Sequence, residues 1–218
     1  MYMKKVIESI KKQRVDDKLV ISAVSTLDSI EKSINLLNEK LMEWYGLYHP
    51  EARKPTFDRP DTSIGFDLDE TDLKPIKELH EHVKQLESLK KNIENYIKKK
   101  MDCFPNLKTI AGPLVGARLI ALAGGIDKLA KLPSSTIQVL GAEKSLFRHL
   151  KTGAKPPKYG VLYQHRLVAK AKNKGRIARS LASAIAVCAR VDAYKGELVA
   201  EKFLKRIEER VEHDKKRK

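Results

Sequence analysis

The chain has 218 residues, a formal net charge of +16 and a pI near 9.7, and one third of its residues are charged. That length supports one large domain or two modest ones. The basic balance calls for a polyanionic partner, whether nucleic acid, an acidic membrane surface or an acidic protein. No run of about 18 apolar residues is present, which argues against a spanning helix. The opening MYMKKVIESIKKQR lacks the apolar core of a secretory signal. Cys103 and Cys188 form no CxxC pair and read as reduced thiols in a cytoplasmic setting.

In chain order, Val20, Ala23, Leu27, Ile30, Ile34, Leu37, Leu41, Trp44 and Tyr48 step by threes and fours. That is a heptad seam, which needs a partner helix. A second seam holds Ile76, Leu79, Val83, Leu86, Ile93 and Ile97, with Lys90 as its break. Between them, residues 49–71 hold Pro50, Pro55, Pro60 and Gly65, and a helix does not continue through so many breakers. The pattern predicts an antiparallel hairpin whose helices each run ~40 Å or more. Residues 102–106, with Pro105, interrupt it.

Shorter helices are expected next: 109–123, stopped by Gly124-Gly125, then 126–132, then one from a Ser134-Ser135-Thr136 cap to about residue 151. A loop at 152–160, a short apolar stretch at 161–163 and an alanine-rich helix at 175–194 follow. A charged helix from Glu197 ends in a fraying basic tail. The fold class is therefore all-α: a coiled-coil hairpin over 1–104, a compact helical domain over 105–212 and a tail over 213–218.

Charge is uneven. No acidic residue lies between Glu143 and Asp192. Lys144, Arg148 and Lys151 share one helix face, and Arg176 and Arg179 are one turn apart. Like charges at that spacing repel, so ordinary solvated helices intersperse acids. A polyanion that supplies the missing negative charge is favoured over a merely soluble basic surface. Tyr159 lies among these cations as a stacking platform for bases, worth ~1–3 kcal/mol per base. For Tyr163, core packing is the expectation. The rigid Pro156-Pro157 pair holds Lys155 and Lys158 in fixed directions as a phosphate clamp, although such loops also occur as plain connectors. There is no GxxxxGK[ST] loop and no GxGxxG after a strand. His49, His80, His82, His149, His165 and His213 make no metal spacing. No enzyme, cofactor or metal is expected.

The runs GAEKSLFRHL (141–150), GAKPPKYG (153–160), GRIAR (175–179) and ARVDAY (189–194) resemble the signature of the Nop-domain family. So do residues 106–144 almost throughout, and LMEWYGLYHPE (41–51) is similar to the end of the first coiled-coil helix in archaeal members. The resemblance covers about residues 37–194. It is of the archaeal type found in box C/D ribonucleoproteins, with the spliceosomal member more distant.

That resemblance implies a scaffold without a catalytic group. Such a scaffold binds kink-turn RNA, here a box C/D guide RNA, only with its primary kink-turn-binding protein of the ribosomal family in place. Hairpins of two subunits pair, which would draw on Leu27, Ile34, Leu37 and Leu41. Fibrillarin, a separate chain, carries out the 2′-O-methylation. By motif, Lys144, Arg148, Lys151, Lys155, Lys158 and Tyr159 face the RNA, with Arg176 and Arg179 in a second basic stretch. Leu146 and Phe147 touch the kink-turn-binding protein, against the usual expectation that a Phe is buried. Arg190 and Asp192 read as a helical structural pair.

Two departures stand out. The chain opens almost directly into the coiled coil, without the N-terminal domain that recruits fibrillarin in the family, as in a truncated or naturally short member. The segment RLVAKAKNK after His165 is more basic than the family's connector. An archaeal member would be cytoplasmic, and a eukaryotic one nucleolar or nuclear. The competing readings are a splicing-related Nop scaffold and a basic coiled-coil protein whose charge serves solubility or membrane docking.

Overall fold

A computed structural model describes residues 2–55, 57 and 64–216, with side chains from residue 15 to 214. Pro60 and the end of the basic tail lie outside the described residues. Among these residues the chain is all-helical, with no strand. No helix among them is long and apolar enough to cross a membrane. Two compact units form, residues 25–95 and residues 1–24 with 96–218.

The unit of residues 25–95 is a helical hairpin. Helix α1 (Tyr2–Tyr48) supplies one arm and α2 (Glu70–Lys100) the other. Asp69 Oδ1 caps α2 by accepting from Asp72 N at 2.8 Å. Glu70 and Asp72 in its first turn and Lys98, Lys99 and Lys100 in its last complement the helix dipole. The seams meet antiparallel: Leu41 and Tyr45 pack with Ile76, and Glu31 pairs with Lys90 at 3.0 Å. The break at Lys90 is therefore a cross-hairpin ion pair. Gly65 lies so close to α1 that a Cβ would sit 2.1 Å from the Tyr48 carbonyl oxygen. Phe66 N donates to Leu47 O at 2.7 Å there.

The seam departs from strict heptad stepping. Tyr45 is fully buried and Trp44 is 43% exposed; Val24 is buried where Ala23 is half-buried. A helix of 3.6 residues per turn drifts away from a 3.5-residue repeat, so the buried line passes to the neighbouring position. Leu27, Ile34 and Leu41 are buried within the chain itself, and Leu37 is half-buried. The first three therefore pack into the chain's own hairpin seam.

In the other unit, α3 (Pro105–Ala111), α4 (Pro113–Ala123), α5 (Ile126–Lys131), α6 (Ser134–Val139), α7 (Glu143–Thr152), α8 (Arg166–Lys170), α9 (Lys174–Ala193) and α10 (Ala200–Lys216) follow in order. A 3-10 turn, Val161–Gln164, precedes α8. Helix α9 is central: Ile177, Ala178, Leu181, Ile185, Cys188 and Ala189 are buried, and α3, α5 and α6 pack on it. Burial pushes the Cys188 thiol up to about 12, so it stays protonated.

Two expected helices are each divided. The one over 109–123 breaks at Gly112, whose φ of +77° suits glycine, and Pro113 then starts α4. The one over 134–151 breaks at Gly141, with φ +86°. Pro133 rather than a serine hydroxyl holds the N-cap position of α6.

Arg190 and Asp192 do not pair. Arg190 Nε donates to Ala130 O at 3.0 Å. Asp192 accepts from Asn106 N, Asn106 Nδ2 and Leu107 N at 3.1, 2.9 and 2.7 Å, satisfying first-turn donors of α3. Burial pushes its carboxyl up, and those three N–H donors pull it back. From within α1, Asp17 Oδ2 accepts from Ile126 N at 3.2 Å at the start of α5, while Asp17 Oδ1 is buried with no partner.

Candidate nucleic-acid interface

Helix α7 begins after Gly141, whose N–H donates to Glu143 Oε1 at 2.8 Å, and ends at Gly153 with φ +69°. No side chain of α7 is fully buried. Lys144, Arg148 and Lys151 are exposed and Leu146 is half-buried. Phe147 is 61% and Leu150 is 70% exposed, so the expectation of a buried phenylalanine fails. The helix thus presents cations and large apolar side chains together, although its sequence is amphipathic enough to dock on a core.

The following loop is held from behind by α6. Gln138 Nε2 donates to Lys158 O at 2.7 Å, Gly160 N donates to Gln138 O at 2.9 Å, and Val161 N donates to Leu140 O at 2.8 Å. A Cβ on Gly160 would sit 1.9 Å from Leu140 O, so only glycine permits this approach. Lys155 and Lys158 point outward as exposed side chains. His149 Nδ1 is engaged with Ala154 O. Half-buried His165 accepts from Leu167 N at 3.3 Å through Nδ1, capping α8. Burial, with Arg166 beside it, lowers its pKa from the ordinary histidine value, against a backbone hydrogen bond at Ile110.

Tyr163 is not a core residue. It is 47% exposed, and its ring stacks on that of Tyr159 with centroids 5.2 Å apart and planes 17° apart. Lys174 Nζ lies 4.8 Å from the Tyr163 ring centroid. Lys158 and Tyr159 share a hollow of about 600 Å³ with Lys172, Asn173, Lys174, Gly175 and Asp214. Arg176 lines a neighbouring hollow with Arg206, Arg210 and His213, and Asp214 faces both. Arg179 is exposed farther along α9.

Sequence reasoning named Lys158, Tyr159, Arg176 and Arg179 but left out Lys172, Asn173 and Lys174. The signal available was the excess basicity of RLVAKAKNK. The acid-free stretch is answered at two points by α10: Glu208 pairs with Arg166 at 3.0 Å and Asp214 with Arg176 at 3.4 Å. Among the described residues, Lys144, Arg148, Lys151, Lys155, Lys158 and Arg179 make no ion pair. Also among them, no group of three or more His, Cys, Asp or Glu side chains is arranged to hold a metal.

Among the described residues the fold is all-helical, and one unit carries a cation-rich, aromatic-bearing surface of the kind that suits nucleic acid. The family model described as Nop, snoRNA binding domain, fibrillarin, matches residues 53–213, and the chain belongs to the Nop family. It is 38% identical over 248 residues to an uncharacterised NOP5 family protein of Methanocaldococcus jannaschii, covering 96% of this chain and 59% of that protein. It is 35% identical over 246 residues to nucleolar protein 56 of Caenorhabditis elegans, covering 90% of this chain and 51% of that protein. Among solved structures it is similar to a chain from a fibrillarin/Nop5p complex, with a TM-score of 0.65 and 26% identity over 98% of this chain and 78% of that one. The chain spans about half the length of these sequence relatives.

Proposed function

We propose that this chain is a non-catalytic scaffold of a box C/D guide ribonucleoprotein for RNA-guided 2′-O-methylation. It binds kink-turn RNA together with the primary kink-turn-binding protein. The observation that carries this reading is α7, which places unpaired Lys144, Arg148 and Lys151 beside exposed Phe147 and Leu150. The cations, with Lys155, Lys158, Tyr159, Arg176 and Arg179, contact the RNA. Leu146 and Phe147 contact the protein, since adjacent exposed apolar side chains mark a docking surface. Phosphate contacts alone are sequence-independent and weak at physiological salt. Joining them to an apolar protein contact selects an assembled complex over free RNA.

Two copies pair through their hairpins, with residues 1–104 as the pairing arm and 105–212 as the RNA- and protein-binding domain. Pairing uses side chains that the hairpin leaves exposed, among them Leu36, Trp44, Leu47 and Leu89. Fibrillarin joins the same assembly and supplies the chemistry. An archaeal chain of this kind works in the cytoplasm, whereas its eukaryotic relatives are named as nucleolar proteins.

The test is a gel-shift titration of a kink-turn RNA at about 0.15 M salt, with and without the kink-turn-binding protein. A shift that requires that protein supports the composite site. Equal binding to any RNA, with or without it, reduces the chain to a generic basic RNA binder.

A further inference from the structure

We infer that the hollow between the 153–160 loop and the start of α9 holds a single unpaired nucleotide of the bound RNA, an inference that rests on the RNA-binding reading above. The hollow, at about 600 Å³, falls within the ~300–1,000 Å³ typical of small-ligand sites. Its lining separates by chemistry. Lys158, Lys172 and Lys174 supply cationic donors for a phosphate, and Tyr159 supplies an aromatic face.

Tyr159 is backed rather than free: Tyr163 stacks on it at 5.2 Å and nearly parallel, and Lys174 in turn lies over Tyr163. The platform is therefore ordered before a base arrives, which lowers the entropy lost on stacking. Gln138 Nε2 holds the Lys158 carbonyl at 2.7 Å, and the close approach of Gly160 to Leu140 fixes the backbone beside Tyr159. Asn173 has its side-chain oxygen turned to Arg176 N at 3.3 Å, which sets the turn that carries Lys172 and Lys174.

Among the described residues Asp214 is the one acid on the lining, and Arg176 pairs with it at 3.4 Å. Lys158 and Lys174 against one paired carboxylate leave this lining net positive. A paired, stacked nucleotide cannot enter, because its base faces are covered by its neighbours in the helix. An unpaired one offers a free π-face and its own phosphate together, which is the combination this lining matches.

The test uses the full chain, followed by NMR. It is titrated with a nucleoside 5′-monophosphate, with inorganic phosphate and with a single-stranded pentanucleotide RNA. The expected result is saturable shifts at the amides of Asn173, Lys174 and Gly175, half-complete at a monophosphate concentration about tenfold below that for phosphate. Tyr159→Ala removes that tenfold difference, Tyr159→Phe keeps it, and the rest of each variant's spectrum shows that the fold is intact.

The pentanucleotide should bind tighter still at the same amides; if it binds no tighter than the monophosphate, the hollow serves a free nucleotide and the inference is overturned. Equal effects of monophosphate and phosphate overturn it too, leaving an anion patch, as does the absence of shifts at these amides. Because the kink-turn gel shift is scored separately, nucleotide binding here without a ternary complex there would remove the assembly reading alone.

Discussion

Asn106 and Asp192, 86 residues apart, close a buried hydrogen-bond circuit. Asn106 donates to Asp192 Oδ1 through its backbone N–H at 3.1 Å and through Nδ2 at 2.9 Å. The same Asn106 turns its Oδ1 to Val199 N at 2.7 Å and Ala200 N at 3.1 Å, where α10 begins. Two short polar side chains thus tie α9 to the start of α3 and to the start of α10. Both α9, through Lys174 and Gly175, and α10, through Asp214, line the basic hollow, so this circuit ties together two of its walls.

Replacing Asp192 with alanine leaves three N–H donors unpaired in the interior. The expected loss is about 2–5 kcal/mol of unfolding free energy, read from urea denaturation. Asp192→Asn keeps one acceptor oxygen but turns an amide N–H toward other donors, and should cost less. A loss below about 1 kcal/mol for the alanine variant would show that the circuit is not what joins the three helices.

Asp17 gives the fold a pH dependence of unusual sign. Burial, together with nearby Asp127 and Asp16 and against the hydrogen bond from Ile126 N, raises its pKa from 3.8 to about 6. The folded state therefore holds the proton more tightly than the unfolded chain does. This contribution to stability is fully present below about pH 4 and is lost as pH rises through 6, a change on the order of 2–3 kcal/mol. Asp17→Asn retains an acceptor for Ile126 N and cannot ionise. The variant should be more stable than the parent at pH 7, with the difference shrinking toward pH 4. Melting temperatures of the two proteins that run parallel from pH 4 to 7 would exclude Asp17 as the titrating group.

The hairpin was legible because a run of threes and fours has one physical solution, an apolar seam against another helix. The shift from Trp44 to Tyr45 was not, since it depends on helical drift accumulated over several turns. The break at Gly141 was hidden for the opposite reason, since only its positive φ reveals the turn, whereas the Gly112-Pro113 pair was a local signal of the other break. The acid-free stretch marked the basic surface, yet the partners of Arg166 and Arg176 come from α10, 42 and 38 residues away. Nothing local announces such pairings. Stacking of Tyr163 on Tyr159 likewise follows from the Gly160 approach to α6, a packing made only after the chain has folded.

Burial within the hairpin separates two effects that one substitution would confuse. Leu27 is buried, so Leu27→Asp places a charge in the chain's own seam and should lower helicity and melting temperature by destabilising the hairpin. Leu36 is 56% exposed, so Leu36→Asp should leave circular dichroism unchanged. If copies pair through the exposed face, analytical ultracentrifugation will show Leu36→Asp shifted toward monomer at concentrations where the parent is a dimer. A Leu36→Asp protein that sediments as the parent does would remove this face from the pairing surface.

The mixed character of α7 makes the composite site testable by salt. Arg148→Ala and Lys158→Ala each remove an exposed cation without disturbing the buried core. Each should weaken the ternary complex about tenfold at low salt and reduce the slope of log K against log salt by about 0.7–0.9 for each phosphate that the variant no longer neutralises. Phe147→Ala removes apolar surface and no charge. It should weaken binding only when the kink-turn-binding protein is present, and the salt slope should stay that of the parent. These two patterns cannot both arise from general unfolding, which would weaken every complex alike. Unchanged affinity in Arg148→Ala and Lys158→Ala would take those residues out of the RNA interface. If Phe147→Ala lowers binding equally without the protein partner, its ring belongs to the RNA side, and α7 is a nucleic-acid element rather than the bridge between the two ligands.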